Sequence, residues 1–226
     1  MRRLDWDSSF FKLEVGEIRI NDDLKNDNYS NFDLIYVKKN EEISIPGFKL
    51  NYEENKVIFE KEIITIIEES NCVKQFSTVK YNIEEIYNLA YESGKYSRFL
   101  KDSLFGESNF KKLYKEWVDN SINKQFADDI FLYFIEDKLV GFVTYKKHLT
   151  YGQIGLIAVN KNFQGKGIGR QLVNEVENSL FKDKIKKIRI PTQLENKEAC
   201  FFYKKIGYKI IESTPIKHYW KIDDTI

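Results

Sequence analysis

The chain is short of the residues from which several kinds of site are built. Only two cysteines occur, Cys72 and Cys200, far apart and in no CxxC pair, which argues against a disulfide framework and for reduced thiols. Only two histidines occur, His148 and His218, so a zinc centre is not expected. No apolar run approaches the roughly 18 residues of a membrane span, and Met1-Arg2-Arg3-Leu4-Asp5-Trp6-Asp7 has no apolar signal-peptide core. No internal repeat and no low-complexity linker is present. Charge of either sign is not in excess: 36 Lys and Arg against 35 Asp and Glu leave a formal charge of +1. A general attraction to nucleic acid is therefore not implied, and any phosphate binding has to be local. A chain of 226 residues has ample material for a hydrophobic core, and a cytoplasmic protein is the expectation.

What is present is a glycine-rich loop, Gln164-Gly165-Lys166-Gly167-Ile168-Gly169-Arg170, between the apolar run 154–159 and the helical run 170–180. Alternating glycines let backbone amides approach a ligand without a Cβ in the way. The helix that begins there points its positive dipole end the same way, so the loop reads as an anion cradle. Two identities fail on spacing. A nucleoside-triphosphate loop needs Gly-Lys followed by Ser or Thr, and Gly167 follows Lys166. A dinucleotide fingerprint needs GxGxxG, and Arg170 stands where its third glycine belongs.

Around the loop the pattern alternates strands and helices. In the first third, strands are expected at 15–20, 34–37, 48–52 and 57–67, the last favoured by the β-branched run 63–67. The segment 21–31 reads as a loop or a short helix, and Trp6, Phe10 and Phe11 as an aromatic cluster packed under the first strand. A new pattern starts near residue 71: a strand at 72–80, an amphipathic helix from Ile83 capped by Asn82, and a second helix at 110–120 with Leu113, Tyr114 and Trp117 on one face. Then come a hairpin of 130–135 and 139–145, a strand at 154–159, the glycine loop and its helix. A strand at 187–191, a helix at 196–206 and a closing hairpin of 208–212 and 217–222 complete the chain. The architecture is α/β (α+β), with an N-terminal α/β domain over 1–70 and a second domain over 71–226.

Gln164-Gly165-Lys166-Gly167-Ile168-Gly169 resembles the Q-x-x-G-x-G pattern of the GNAT acyl-CoA N-acyltransferase superfamily, which sets it between its fourth strand and third helix. The resemblance extends to 196–208, where Asn196, Ala199, Tyr203 and the Gly207-Tyr208 turn match the family's later helix. It implies the GNAT fold, a mixed, mostly antiparallel sheet flanked by helices, and acetyl-CoA as co-substrate without a metal. By that resemblance the amides of 165–169 hold the CoA pyrophosphate and the pantetheine arm pairs with Ile157-Ala158-Val159. Gln164, Lys166, Ile168, Arg170 and Asn196 complete the expected cofactor set. Tyr203, two helical turns beyond Asn196, is the expected general acid toward the departing thiolate. Cys200, mid-helix among aromatics, is read as packing. His148 is read as remote, and His218 is one option for the base.

A narrower resemblance is carried by 4–11, Ser97-Arg98-Phe99, the helix with Trp117 and Asn120, and the tail segments 212–214 and Tyr219-Trp220. These look like the enzymes that acetylate the 4-amino group of dTDP-4-amino-4,6-dideoxyhexoses for surface polysaccharide synthesis. The glycine loop itself is closer to the general superfamily pattern. A nucleotide amino sugar is the implied acceptor, with Arg98 forking onto the diphosphate, Tyr96, Phe99 or Trp117 stacking on the base, and Asn120 nearby. Another primary amine (a protein N-terminus, a polyamine or an antibiotic) and a non-catalytic acyl-CoA-binding module are the rival readings. No nucleic acid or membrane partner is implied, and a homodimer is left open.

Overall fold

The computed structural model describes residues 1–22 and 29–222. In chain order the elements are β1 (Arg2–Arg3), α1 (Asp5–Phe11), β2 (Val15–Arg19), β3 (Leu34–Lys38), β4 (Phe48–Glu62), β5 (Val73–Gln75), α2 (Ile83–Ser93), α3 (Arg98–Lys101) and α4 (Gly106–Ile122). They continue with β6 (Asp129–Ile135), β7 (Lys138–Lys147), β8 (Gly152–Val159), α5 (Ile168–Lys182), β9 (Lys187–Gln193), α6 (Lys197–Lys205) and β10 (Lys209–Lys221). The strands form one sheet in the order β1-β2-β3-β10-β4-β9-β8-β7-β6-β5. Only β2 with β3 and β8 with β9 are parallel among the described pairs. Helices α1, α2 and α4 pack one face, around Phe11, Ile86, Leu113 and Leu132, while α5 and α6 pack the other, around Phe59, Val143, Leu172 and Ile188. The GNAT fold expected from the sequence is the fold observed. No described helix is long and apolar enough to cross a membrane.

Several expected boundaries are corrected. Segments 48–52 and 57–67 are not two strands: β4 runs unbroken through the polar stretch Glu53-Glu54-Asn55-Lys56 and stops at Glu62, leaving 63–67 outside any strand. The closing hairpin is likewise one strand, β10, whose polar middle Glu212-Ser213-Thr214 pairs with Ile58, Val57 and Lys56. Both polar stretches resemble turns in sequence, yet their backbones pair with each other and hold both extended. Residues 72–80 give only the short β5 and a 3₁₀ turn, and 4–11 give α1. Of the segment 21–31, Tyr29–Asn31 form a 3₁₀ turn and 23–28 lie outside the described residues.

Two features of the sheet position the site. Strands β8 and β9 share register only at Gly152↔Ile188 and Gln153↔Arg189, and beyond those pairs they part. Pro191 marks the opening: it pairs with Ile58 of β4 on one side, and on the other the strand edge is free, so its missing N–H costs nothing. A β-bulge then sets Gly155 and Leu156 opposite Thr144, whose Oγ1 accepts the Leu156 N–H at 2.9 Å. The bulge reverses side-chain parity, so Ile154 packs with α5 while Leu156 and Ala158 face α2. At the paired end Gly152 lies against the fully buried Leu180, whose Cδ atoms would sit 2.3 and 2.4 Å from an added Cβ. Gly152→Ala should therefore cost about 1–3 kcal/mol, read as a lowered urea midpoint; an unchanged midpoint would show that α5 yields there.

Candidate active site

The loop after β8 turns on Gly165 (φ 78°) and Gly167 (φ 80°), left-handed conformations that exclude most side chains, and an added Cβ at either meets nothing within 4 Å. Gln164 donates its Nε2–H to the Val159 carbonyl at 3.0 Å and ties the loop to β8. Gly167 is the N-cap of α5, with no side-chain cap, so the first-turn amides of a 15-residue helix face outward. This loop forms one wall of a cleft of about 600 Å³. Of the expected cofactor residues, Ile157, Ala158, Val159, Gln164, Gly165, Gly167, Ile168, Gly169, Arg170 and Asn196 line it. Lys166 does not; its ammonium lies 5.0 Å above the Phe163 ring. The free edge of β8 and the loop amides together suit a long ligand with one anionic end and one amide-bearing arm.

Tyr203 and Asn196 line this cleft as well. Asn196 caps α6 by accepting the Ala199 N–H through Oδ1 at 3.1 Å. Tyr203 is 4% exposed, packed against Phe59 and Phe202, and burial pushes its phenol above the ordinary value. Cys200 is buried, with Sγ directed at the Gln193 carbonyl.

A second cavity, about 540 Å³, opens on the α1–α4 side of the sheet, and Tyr203, Asn196, Ala199, Ile157 and Ser93 line both. The two spaces meet where β8 and β9 part. Arg98, Phe99 and Trp117 line the second cavity as the sequence suggested. Tyr96 and Asn120 do not: Tyr96 sits in the 3₁₀ turn beneath Lys95, and Asn120 bonds Glu116 on its own helix. The sequence reading missed Asp7, Glu17, Tyr36, Lys38, Glu54 and Lys56, which also line the cavity. For Glu54 and Lys56 the signal was the alternation Tyr52-x-Glu54-x-Lys56, a polar strand face.

Arg98 is held by a buried relay. Its guanidinium lies 4.1 Å from the Tyr36 ring centre and donates to His218 Nε2 at 3.1 Å. Because arginine has no acceptor, Nε2 accepts and Nδ1–H donates to Asp102 Oδ2 at 2.6 Å. Trp220, Asn51 and the Leu104 amide also donate to the Asp102 carboxylate. His218 is 0% exposed, and burial with the adjacent Arg98 lowers its pKa to about 4. Neutral and occupied at both nitrogens, it orients Arg98 and has no lone pair for a substrate, which corrects the option that it is the base. His148 stacks on Tyr151 beyond the end of β7, away from both cavities.

The charges in the second cavity are largely unspent. Lys38 bonds Glu17, which also pairs with Arg2 and Arg19. By contrast Lys56, Arg98, Asp7 and Glu54 make no ion pair among the described residues. Glu54 is 4% exposed, accepts only the Tyr52 hydroxyl at 3.1 Å, and burial pushes its pKa up to about 7.

The model of the acetyltransferase (GNAT) family matches residues 83–208, more than half of the chain. The spore coat polysaccharide biosynthesis protein SpsD of Bacillus subtilis (strain 168) is 25% identical over 137 residues, 61% of this chain and 47% of that protein. The chain thus spans about half the length of that curated relative. A functionally unknown conserved protein of Staphylococcus epidermidis superposes with a TM-score of 0.60 at 14% identity, covering 85% of this chain and 74% of that one. A GCN5-related N-acetyltransferase of Sphaerobacter thermophilus does so at 0.52 and 15% identity, covering 85% and 61%. At such identities the structural likenesses speak for the fold alone.

Two of the buried titratable groups, His218 and Glu54, predict opposite pH dependences. His218, at about 4 against an ordinary 6.5, contributes stability that is complete above 6.5 and lost as pH falls toward 4. Glu54, at about 7 against 4.5, contributes stability that is complete below 4.5 and lost as pH rises through 7. Each is worth about 3 kcal/mol over its whole range. In urea unfolding at pH 7 and pH 5, Glu54→Gln should lose stability on acidification relative to His218→Gln. The reverse order would refute these assignments.

Proposed function

The chain belongs to the GNAT acetyltransferase family, and from that premise we propose that this acetyl-CoA-dependent enzyme acetylates the primary amine of a nucleotide-linked amino-deoxy sugar, of the dTDP-4-amino-4,6-dideoxyhexose type, in surface polysaccharide synthesis. The observation that carries the reading is the second cavity, in which the cations Lys56 and Arg98 stand with the carboxylates Asp7 and Glu54, none of them in an ion pair among the described residues. Such a mixed lining complements a ligand bearing both an ammonium and a phosphate. A polyamine would leave both cations opposed. The printed role of the Bacillus subtilis relative in spore coat polysaccharide biosynthesis supports a sugar acceptor. Exposed Trp6, stacked on Phe10 at 5.0 Å, and half-buried Trp117 offer flat faces to a base.

In this reading the acetyl-CoA thioester lies at the junction of the two spaces. The neutral amine attacks its carbonyl carbon, the C–S bond breaks, and the Tyr203 hydroxyl donates toward the departing sulfur. A phenol held above its ordinary pKa is a weak acid but stays protonated across the working range, so it acts chiefly as a hydrogen-bond donor to developing thiolate. The division near residue 70 and a homodimer belong to the same proposal and are independent of the chemistry.

The reading is tested by thiol release from acetyl-CoA with dTDP- and UDP-amino sugars, and with spermidine and a peptide amine as controls. Turnover is expected with a nucleotide amino sugar; turnover confined to the controls would sink the sugar reading. With the active acceptor, Tyr203→Phe should keep acetyl-CoA affinity and lower turnover by about 10²-fold, and unchanged turnover would remove Tyr203 from the mechanism.

A further inference from the structure

The acceptor of any N-acetyltransferase arrives at neutral pH mostly as an ammonium, which has no lone pair with which to attack a thioester. A group must therefore take a proton before the C–N bond forms. His218 is buried and occupied, and His148 is remote. The second cavity contains a carboxylate with the required geometry. Glu54 sits mid-strand on β4, opposite Ile216 of β10, just ahead of the stretch that pairs with β9. Its side chain lines the same cavity as Tyr203. One hydroxyl, from Tyr52, is its sole hydrogen-bond partner among the described residues, so acceptor capacity on the carboxylate is left over.

A buried carboxylate with so little compensation is costly for folding alone. The same is true of its neighbour Tyr36, 1% exposed, whose phenol oxygen is buried with no hydrogen-bond partner among the described residues. Two uncompensated polar groups lining one cavity indicate that a polar ligand completes them.

We infer that Glu54 is the general base of the transfer reaction, receiving the acceptor's ammonium in the second cavity and removing one of its protons. The inference rests on the second cavity being the acceptor site, but not on the acceptor being a sugar. The bookkeeping of the step is closed. One proton passes from nitrogen to the Glu54 carboxylate and on to solvent, the freed lone pair forms the C–N bond, and the C–S pair leaves with sulfur. The second proton lost from nitrogen ends on the departing thiolate, to which the Tyr203 hydroxyl donates a hydrogen bond. The groups that face Glu54 set its affinity for the first proton. Arg98 on α3 and Lys56 on its own strand favour the carboxylate, and Glu195 ahead of α6 disfavours it. Tyr52 donates to it, and Asp7, Glu17, Lys38, Tyr36, Tyr114 and Tyr203 line the same cavity. Burial outweighs the cations, so the group is poised near neutrality, where a base both holds a vacancy at working pH and binds a proton firmly.

The test compares wild type, Glu54→Gln and Glu54→Asp. Acetyl-CoA affinity by calorimetry should be the same in all three, which establishes that the variants fold. For whichever amine turns over, wild-type kcat/KM should fall below an apparent pKa near 7. Glu54→Gln should lose about 10²–10⁴-fold at pH 7 and have its acid limb displaced upward to the amine's own pKa, recovering as the amine deprotonates unaided; Glu54→Asp should keep the wild-type limb at reduced rate. A Glu54→Gln enzyme within threefold of wild type, or with the wild-type pH profile, would overturn the inference. Turnover of a polyamine or peptide amine alone would remove the sugar reading and leave this comparison intact. Independently of any acceptor, the carboxyl ¹³C signal that Glu54→Gln deletes should titrate near pH 7, and titration near 4.5 would also overturn it.

Discussion

Beyond Gln153 and Arg189 the parallel strands β8 and β9 stop sharing a ladder, and the rest of the molecule is arranged around that parting. A central sheet normally pairs its backbone on both edges, because unpaired N–H and C=O groups away from water are costly. Here two edges are released in the middle of a ten-stranded sheet. Pro191 removes one donor from the released edge of β9, and the bulge at Gly155-Leu156 turns β8 so that alternate residues serve opposite faces. The released edge of β8 feeds directly into a loop whose glycines present amides to the same cleft. The parting is also a passage. A side chain on α6, on one side of the sheet, reaches the cavity formed on the other, and Tyr203 borders both spaces for that reason.

The cavity on the α1–α4 side is stabilised by the distribution of its charges rather than by their pairing. Asp102, 1% exposed, would be expensive to bury alone; it receives hydrogen bonds from His218, Trp220, Asn51 and the Leu104 amide. The same contacts fix the His218 tautomer and, through it, the guanidinium of Arg98. Glu177 on the opposite face is similarly satisfied by Lys61 and Tyr208, and serves as a contrast. There the ion pair closes on itself and lines neither of the two cavities. Around Glu54, Lys56 and Tyr36 the arrangement is left incomplete among the described residues, and the proposed acceptor site rests on that difference.

Much of this was readable from residue order. The glycine spacing, the apolar run before it and the helix after it are local features, and local features survive folding unchanged. Asn82 was legible as a helix cap for the same reason. The long strands β4 and β10 were not, because their polar middles imitate turns when each is read alone and become strand only when paired with each other. The run 63–67 has β-branched residues but no partner strand, so propensity there lost to topology. Tyr96 and Asn120 fell outside the cavity since one turn of chain decides which side of a helix a residue faces. Glu54 carried no motif: its environment is assembled from β4, β10, α3 and the segment before α6, elements up to about 160 residues apart in sequence.

The central claim is that the parting of β8 and β9, with the glycine loop beyond it, is the acetyl-CoA site. Amide hydrogen exchange of the full chain with and without CoA measures this residue by residue. Slowed exchange should concentrate at the amides of 157–159 on β8 and of 165–170 in the loop and first turn of α5, leaving β2 and β3 unchanged. Protection elsewhere, with those two segments unmoved, would contradict it.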